Sequence, residues 1–266
     1  MKIDYTLWQA ASAACPFPTG EHTMTHTYRF AGRTVDIRAL YPDVYALCVD
    51  YRAEGATDFT VSTTQADIEF EREKNARESM IEGSPVREHT DGYLETLAVY
   101  RQISERMPHY NTILFHGSCI AADGMSYLFT AKSGTGKSTH TRLWRELLGD
   151  QTVMVNDDKP LIRVTGDGVV AYGTPWNGKH RLSSNIAVPL KAVCILERSA
   201  ENHIKEITPS EALPMLLQQV YRPMNVSAMV RTLNLIDCLA GRVKLYRLGC
   251  NMNIEAAEVA YDAMKG

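Results

Sequence analysis

Apolar residues in the first third of the chain come in short runs, Tyr28 to Phe30, Val35 to Leu40, Val44 to Val49 and Phe59 to Val61, with polar stretches between them. Helical spacing is weak here, so the pattern predicts short strands and turns. In Asp67-Ile68-Glu69-Phe70-Glu71-Arg72 acidic and apolar side chains alternate. On a strand that alternation sets Asp67, Glu69 and Glu71 on one face, either solvated or offered to a basic partner. Glu82 to Asp91 is polar, contains Gly83 and Pro85, and reads as a linker. It divides a small strand-rich N-terminal domain, residues 1–88, from a larger unit, residues 89–266.

A helix follows, because Leu94, Leu97, Ala98, Tyr100, Ile103 and Met107 form an apolar stripe that Pro108 ends. From Asn111 the pattern changes to alternating strands and helices, as in an α/β layer structure. Strands are predicted at Thr112 to Ala121 and Ser126 to Thr130, joined by the turn Asp123-Gly124. Others are predicted at Val153 to Asn156, Leu161 to Val164, Val169 to Tyr172, Lys191 to Leu196 and Lys244 to Leu248. The helix Lys137 to Leu148 stops at Gly149. Thr208-Pro209-Ser210-Glu211 is a capping box that starts a helix, which Pro214 is expected to kink or restart. Val226 to Leu239 repeats at helical spacing up to Gly241, and a last helix begins near Ile254.

The chain has 266 residues, 45% of them hydrophobic, and a formal net charge of -3. That balance gives no basis for a general nucleic-acid or membrane-surface role, either of which favours a basic face. Cys15, Cys48, Cys119, Cys194, Cys238 and Cys250 are scattered without CxxC pairs and read as reduced thiols. No apolar stretch reaches membrane-spanning length and MKIDYTLWQA lacks the features of a leader, so the expected location is the cytoplasm.

The chemistry concentrates in one stretch. Ala131-Lys132-Ser133-Gly134-Thr135-Gly136-Lys137-Ser138 fits the phosphate-binding pattern GxxxxGK[ST], with alanine for the first glycine. Gly134 and Gly136 let the backbone turn tightly around phosphate oxygens, and the following helix start adds positive potential. Lys137 brings a full charge to the terminal phosphates, and the Ser138 hydroxyl suits Mg²⁺. Ser133, Thr135 and Thr139 complete the loop. The strand Val153 to Asn156 then ends in Asp157-Asp158, an arrangement suited to one metal-binding carboxylate and one base. Asp158 is assigned to metal and Asp157 to the base, although adjacent residues can exchange these jobs. His116, taken alone on an apolar strand, reads first as a satisfied core histidine.

His116-Gly117-Ser118, a hairpin, Ser133-Gly134-Thr135-Gly136-Lys137-Ser138-Thr139 and then Asn156-Asp157-Asp158-Lys159 together resemble the core of HPr serine kinases and ATP-dependent phosphoenolpyruvate carboxykinases. The resemblance implies an α/β fold with a P-loop core of that type and a mixed sheet, preceded by the small strand-rich domain. It makes His116 a metal or phosphate neighbour, Asp158 a metal ligand and Asp157 the kinase base. In place of the Glu-Arg-Gly segment of HPr kinases stands Gly173-Thr174-Pro175-Trp176-Asn177-Gly178-Lys179, so the chain resembles more the broad group of HPr kinase-like proteins of unassigned substrate.

In that segment Trp176 suits stacking on a base or half-burial, and Lys179, His180 or Arg181 suits phosphate or solvent. Arg222 is either an arginine finger or a helix-end cation. The expected activity is an ATP- and Mg²⁺-dependent kinase, with Mn²⁺ an alternative metal. Its acceptor would be a hydroxyl of a protein, peptide or small molecule, with no nucleic acid or membrane partner and a homo-oligomer left open. The alternative is a non-catalytic module that senses ATP.

Overall fold

The structure is a computed structural model and describes residues 25–266. Cys15 and the opening segment discussed above lie outside the described residues. The fold is mixed α/β, with a three-stranded sheet at its N-terminal side and a nine-stranded mixed sheet behind it.

Strands β1 (Thr25–Phe30) and β2 (Arg33–Arg38) form an antiparallel hairpin, and β3 (Phe59–Ser62) runs parallel to β2. The run read as extended at Val44 to Val49 is instead α1 (Pro42–Leu47) followed by a 3-10 turn, Val49–Tyr51. Proline in the first turn presets its φ for a helix, a signal that outweighs a short apolar run.

A second correction concerns Asp67 to Arg72, which lies within α2 (Gln65–Glu82) rather than on a strand. Thr64 and Asp67 cap that helix reciprocally, and Gly83 ends it in the left-handed region at φ 65°. Asp67 and Glu71 are four apart, so they share a helix face, and both bind Arg101. Glu69 pairs with Arg72 on the same helix. The acidic residues therefore serve an internal ion-pair network. Arg101 belongs to α3 (Asp91–Arg106), which Thr90 caps by accepting the Tyr93 N–H at 3.2 Å.

The strand predicted from Thr112 to Ala121 is broken into β4 (Thr112–Leu114) and β5 (Ser118–Ala122). Phe115, His116 and Gly117 leave the ladder between them, their N–H groups bonding to Pro160 O, Gln219 O and Asp158 O. Strand β5 turns through Asp123-Gly124, both at positive φ, into β6 (Met125–Thr130). Next come helix α4 (Lys137–Leu148) and β7 (Thr152–Asn156).

Strands β8 (Leu161–Thr165), β9 (Gly168–Tyr172) and β10 (Ala187–Arg198) continue the large sheet in the order β4-β8-β9-β10-β6-β5-β7. The start of β10 pairs antiparallel with β9, and from Leu190 onward the strand runs parallel to β6. On its other side lies the parallel β12 (Lys244–Cys250), edged by β11 (His203–Glu206), which the sequence pattern did not disclose.

Helix α5 (Pro209–Gln219) carries its capping box, and Pro214 lies inside it without a restart. Helices α6 (Val226–Ala240) and α7 (Glu255–Met264) complete the fold.

One face of the large sheet packs on α5 and α6 through Leu216, Leu235, Ile236 and Leu239. On the other face Trp144 of α4 is fully buried, with ring centroids 5.0 Å from Tyr127, 5.2 Å from Phe129 and 5.5 Å from Tyr261. A third cluster joins Tyr28, Phe30, Val35 and Ile37 of the small sheet to Ile103, Leu114, Leu161 and Trp176. Cys48, Cys119 and Cys194 are free and buried, Cys250 is half-buried and Cys238 exposed. No helix among the described residues is long and apolar enough to cross a membrane.

Candidate functional site

Strand direction brings the candidate residues together. Both β6 and β7 run antiparallel to the β5 strand between them, so they are parallel to each other and finish at the same end of the sheet. The glycine loop after β6, the two aspartates after β7 and His116 just before β5 therefore share one edge. Gly117 makes the approach tight: a Cβ there would sit 2.8 Å from Leu128 Cδ1 and 2.9 Å from Phe129 O. Glycine allows the chain bearing His116 to lie against β6, where Thr130 Oγ1 donates to His116 O at 3.1 Å.

The loop after β6 turns at Gly134 (φ 73°) and Gly136 (φ 125°), and Gly136 stands at the N-terminal end of α4. The N–H groups of the first helical turn have no intrahelical acceptor and carry the positive end of the helix dipole. Lys137 Nζ donates to Ala131 O at 3.3 Å, which holds the ammonium against the loop. Its burial lowers the lysine pKa, an effect that the nearby Asp158 opposes. Arg198, at the end of β10, donates from Nη2 to Gly134 O at 2.6 Å.

Asn156 is fully buried and organises the segment that follows it. Its Nδ2 donates to Thr174 O at 3.0 Å and Trp176 O at 3.3 Å, while its Oδ1 accepts the N–H groups of Asp158 at 2.8 Å and Lys159 at 2.5 Å. The acids thereby acquire different surroundings. Asp157 is only 4% exposed and accepts the Gly178 N–H at 2.6 Å. Burial raises its pKa, the neighbouring Asp158 charge adds to the rise, and the Gly178 bond offsets part of it.

Asp158 faces cations: its Oδ1 lies 3.1 Å from His116 Nε2 and its Oδ2 3.5 Å from Lys159 Nζ. Burial pushes that carboxyl up, but His116, Lys159 and Lys137 together bring its pKa below the ordinary value. His116 thus partners an acid and is not a core residue.

Ser138 and Asp157 line a cleft of about 70 Å³ with Thr141, Arg142, Arg145 and His180. Ser133 and Gly134 are exposed, and Thr135 and Thr139 half-buried, around the same loop. Trp176 is 6% exposed, donates to Thr96 O at 3.0 Å and packs against Phe30 and Tyr100. It is a core residue of the seam between the sheets, which leaves its ring no free face for a base. Lys179, His180 and Arg181 are exposed on the loop that follows it. Arg222 is exposed as well.

A larger open concavity of about 340 Å³, lined by Thr25, His26, Thr27, Arg52, Ala53 and Glu54, belongs to the small sheet and not to this edge.

From the sequence Asn156 was named only as part of the motif, without a role, and Arg198 was not singled out. Asn156 directly precedes the acid pair, and an asparagine at a strand end has the local signature of a side chain that binds backbone N–H groups two and three residues on. Arg198 carries no local signal, because its approach to the loop depends on the parallel pairing of β10 with β6.

Among solved structures, the HPr(Ser) kinase/phosphatase from Coxiella burnetii is similar over 57% of this chain and 99% of that chain, at 10% identity and a TM-score of 0.33. No curated protein matches the sequence. A family model described as SynChlorMet cassette protein ScmC matches residues 85–255. That match spans more than half of the 266 residues and includes the loop, the acid pair and His116, and the chain belongs to the ScmC family.

Proposed function

We propose that this chain is a kinase that binds ATP at a P-loop, Ala131 to Thr139, and transfers the γ-phosphoryl group to a hydroxyl. The observation that carries the reading is the convergence on one sheet edge of Lys137, Ser138, the His116–Asp158 pair and Asp157. Glycine-permitted turns and the free N–H groups of the α4 terminus suit a polyphosphate.

The donor set fits a hard divalent cation that takes one or two protein oxygens and completes its shell with phosphate and water. Among the described residues no cluster of three or more His, Cys, Asp and Glu side chains could hold a metal without such help. Ser138 and Asp158 would hold Mg²⁺, or Mn²⁺ in its place, and the ion when bound neutralises phosphate charge. His116 orients the Asp158 carboxylate, whose lowered pKa keeps it ionised.

Asp157 has the opposite bias, since burial makes it more basic than an ordinary carboxylate. It takes the acceptor proton as the hydroxyl oxygen bonds to the γ-phosphorus, and the bond from phosphorus to the β,γ-bridging oxygen breaks with its electron pair leaving on ADP. Two adjacent carboxyls pushed in opposite directions are suited to separate duties. Lys137 stabilises the charge on the transferring group.

The test is labelled ATP, Mg²⁺ and serine-containing acceptors, with Asp157→Asn as control. Transfer by the wild type and a loss of about 10²–10⁴-fold in the variant are expected, the range for a removed general base. Equal and negligible transfer by both proteins, with ATP binding intact, would falsify the kinase and favour a nucleotide sensor.

A further inference from the structure

The rim of the Ser138–Asp157 cleft is basic. Helix α4 buries His140, Thr141, Leu143 and Trp144 on one face, so Arg142 and Arg145 stand exposed on the other. They lie about one turn, ~5 Å along the axis, apart. Both line the cleft, as does His180, which the exposed cations Lys179 and Arg181 flank in sequence. Glu146 pairs with Arg142 and is the one acid bound to these side chains among the described residues. Cations clustered around a single exposed acid favour anionic ligands at the mouth of a cleft.

Size separates the kinds of ligand. The cleft's 70 Å³ is far below the roughly 300–1,000 Å³ of pockets that enclose whole small molecules. It admits one small group, and the remainder of an acceptor must lie outside over the rim. A peptide meets both conditions: a serine side chain enters toward Asp157 while neighbouring residues cross the Arg142, Arg145 and His180 surface.

We infer that the acceptor is an acidic peptide segment, a serine flanked by Asp or Glu, which Arg142, Arg145 and the Lys179–Arg181 loop recognise. This rests on the kinase reading for the word acceptor, whereas the recognition surface is independent of transfer. Arg142 and Arg145 bind the flanking carboxylates and leave nucleotide binding to the loop.

The experiment is fluorescence anisotropy of the full chain with short labelled peptides carrying one serine between glutamates, alanines or lysines, beside separate titration of MgATP. The glutamate-flanked peptide is expected to bind at least about tenfold more tightly than the alanine-flanked one, with the advantage shrinking as salt rises. Arg142→Glu with Arg145→Glu should reverse the preference toward the lysine-flanked peptide. That reversal separates recognition from misfolding. Equal binding of the three peptides, an unreversed preference in the double variant, or transfer to glycerate with none to any peptide overturns the proposal. Absent MgATP binding with the acidic preference intact supports the peptide surface and overturns the kinase reading alone.

Discussion

The seam between the small and large sheets and the edge that carries the glycine loop both hold buried carboxylates, and they treat them differently. In the seam Glu95 is fully buried, and its oxygens accept the N–H groups of Leu40 and Tyr41, each at 2.7 Å, and the Thr63 hydroxyl at 2.5 Å. Glu71, 2% exposed, is held by Arg101 at 2.6 Å. Glu105, only half-buried, accepts from the Tyr221 hydroxyl at 3.0 Å and Met224 N at 2.9 Å. Those acids are held mainly by backbone amides, hydroxyls and a guanidinium, with Lys74 a further partner of Glu71 at 3.5 Å. At the loop edge the acids are partnered by titratable or flexible groups, His116 and Lys159, or by one loop amide. Saturated carboxylates hold a fold together, while acids with capacity left over can meet a ligand.

The contrast is broken most severely in the seam. Glu95→Ala leaves buried donors without an acceptor at about 1–3 kcal/mol each, so a stability loss of about 4 kcal/mol is expected in urea denaturation. Lys137→Ala should do the reverse: about 100-fold weaker MgATP binding in a titration, roughly 2.7 kcal/mol, with an unchanged thermal midpoint. Asn156→Ala should fall between the two classes, losing about 2 kcal/mol of stability and about tenfold in transfer rate, because that side chain is structural in position and sets the acid pair.

The two regions should also carry opposite pH signatures. Burial raises the Glu95 pKa above 4.5 despite its donors, so its contribution to stability is present below that value and is lost as pH rises through the folded pKa. Asp158 is held below 3.8, so its contribution is present above that value and is lost as pH falls through the folded pKa. Stability measured against pH should lose the first slope in Glu95→Gln and the second in Asp158→Asn. Smallest of all, Arg198→Ala should weaken MgATP binding about two- to threefold, as expected for one exposed contact to a loop carbonyl.

Much of the loop edge was legible because its signals are local. Gly136 and Gly149 bound α4 as predicted, and the glycine loop, the acid pair and the β5–β6 hairpin lie where the spacing put them. The small sheet was readable only in part. Period-two alternation at Asp67 to Arg72 was overridden by the Thr64–Asp67 cap and by Arg101, a partner more than thirty residues away. Trp176 was undecided for the same reason, since its neighbours Phe30 and Tyr100 come from distant elements. Strand β11 is short and polar and exists because β12 offers it an edge.

The ladder between β5 and β7 slips once: Cys119 stands opposite Asn156 but Ile120 opposite Met154, so Val155 is an extra residue on β7. Side chains on a strand alternate between faces, so one inserted residue inverts the facing of everything after it. That single insertion sets the facing of Asn156, the strand's last residue, whose side chain accepts the N–H groups of Asp158 and Lys159 and so arranges the acid pair.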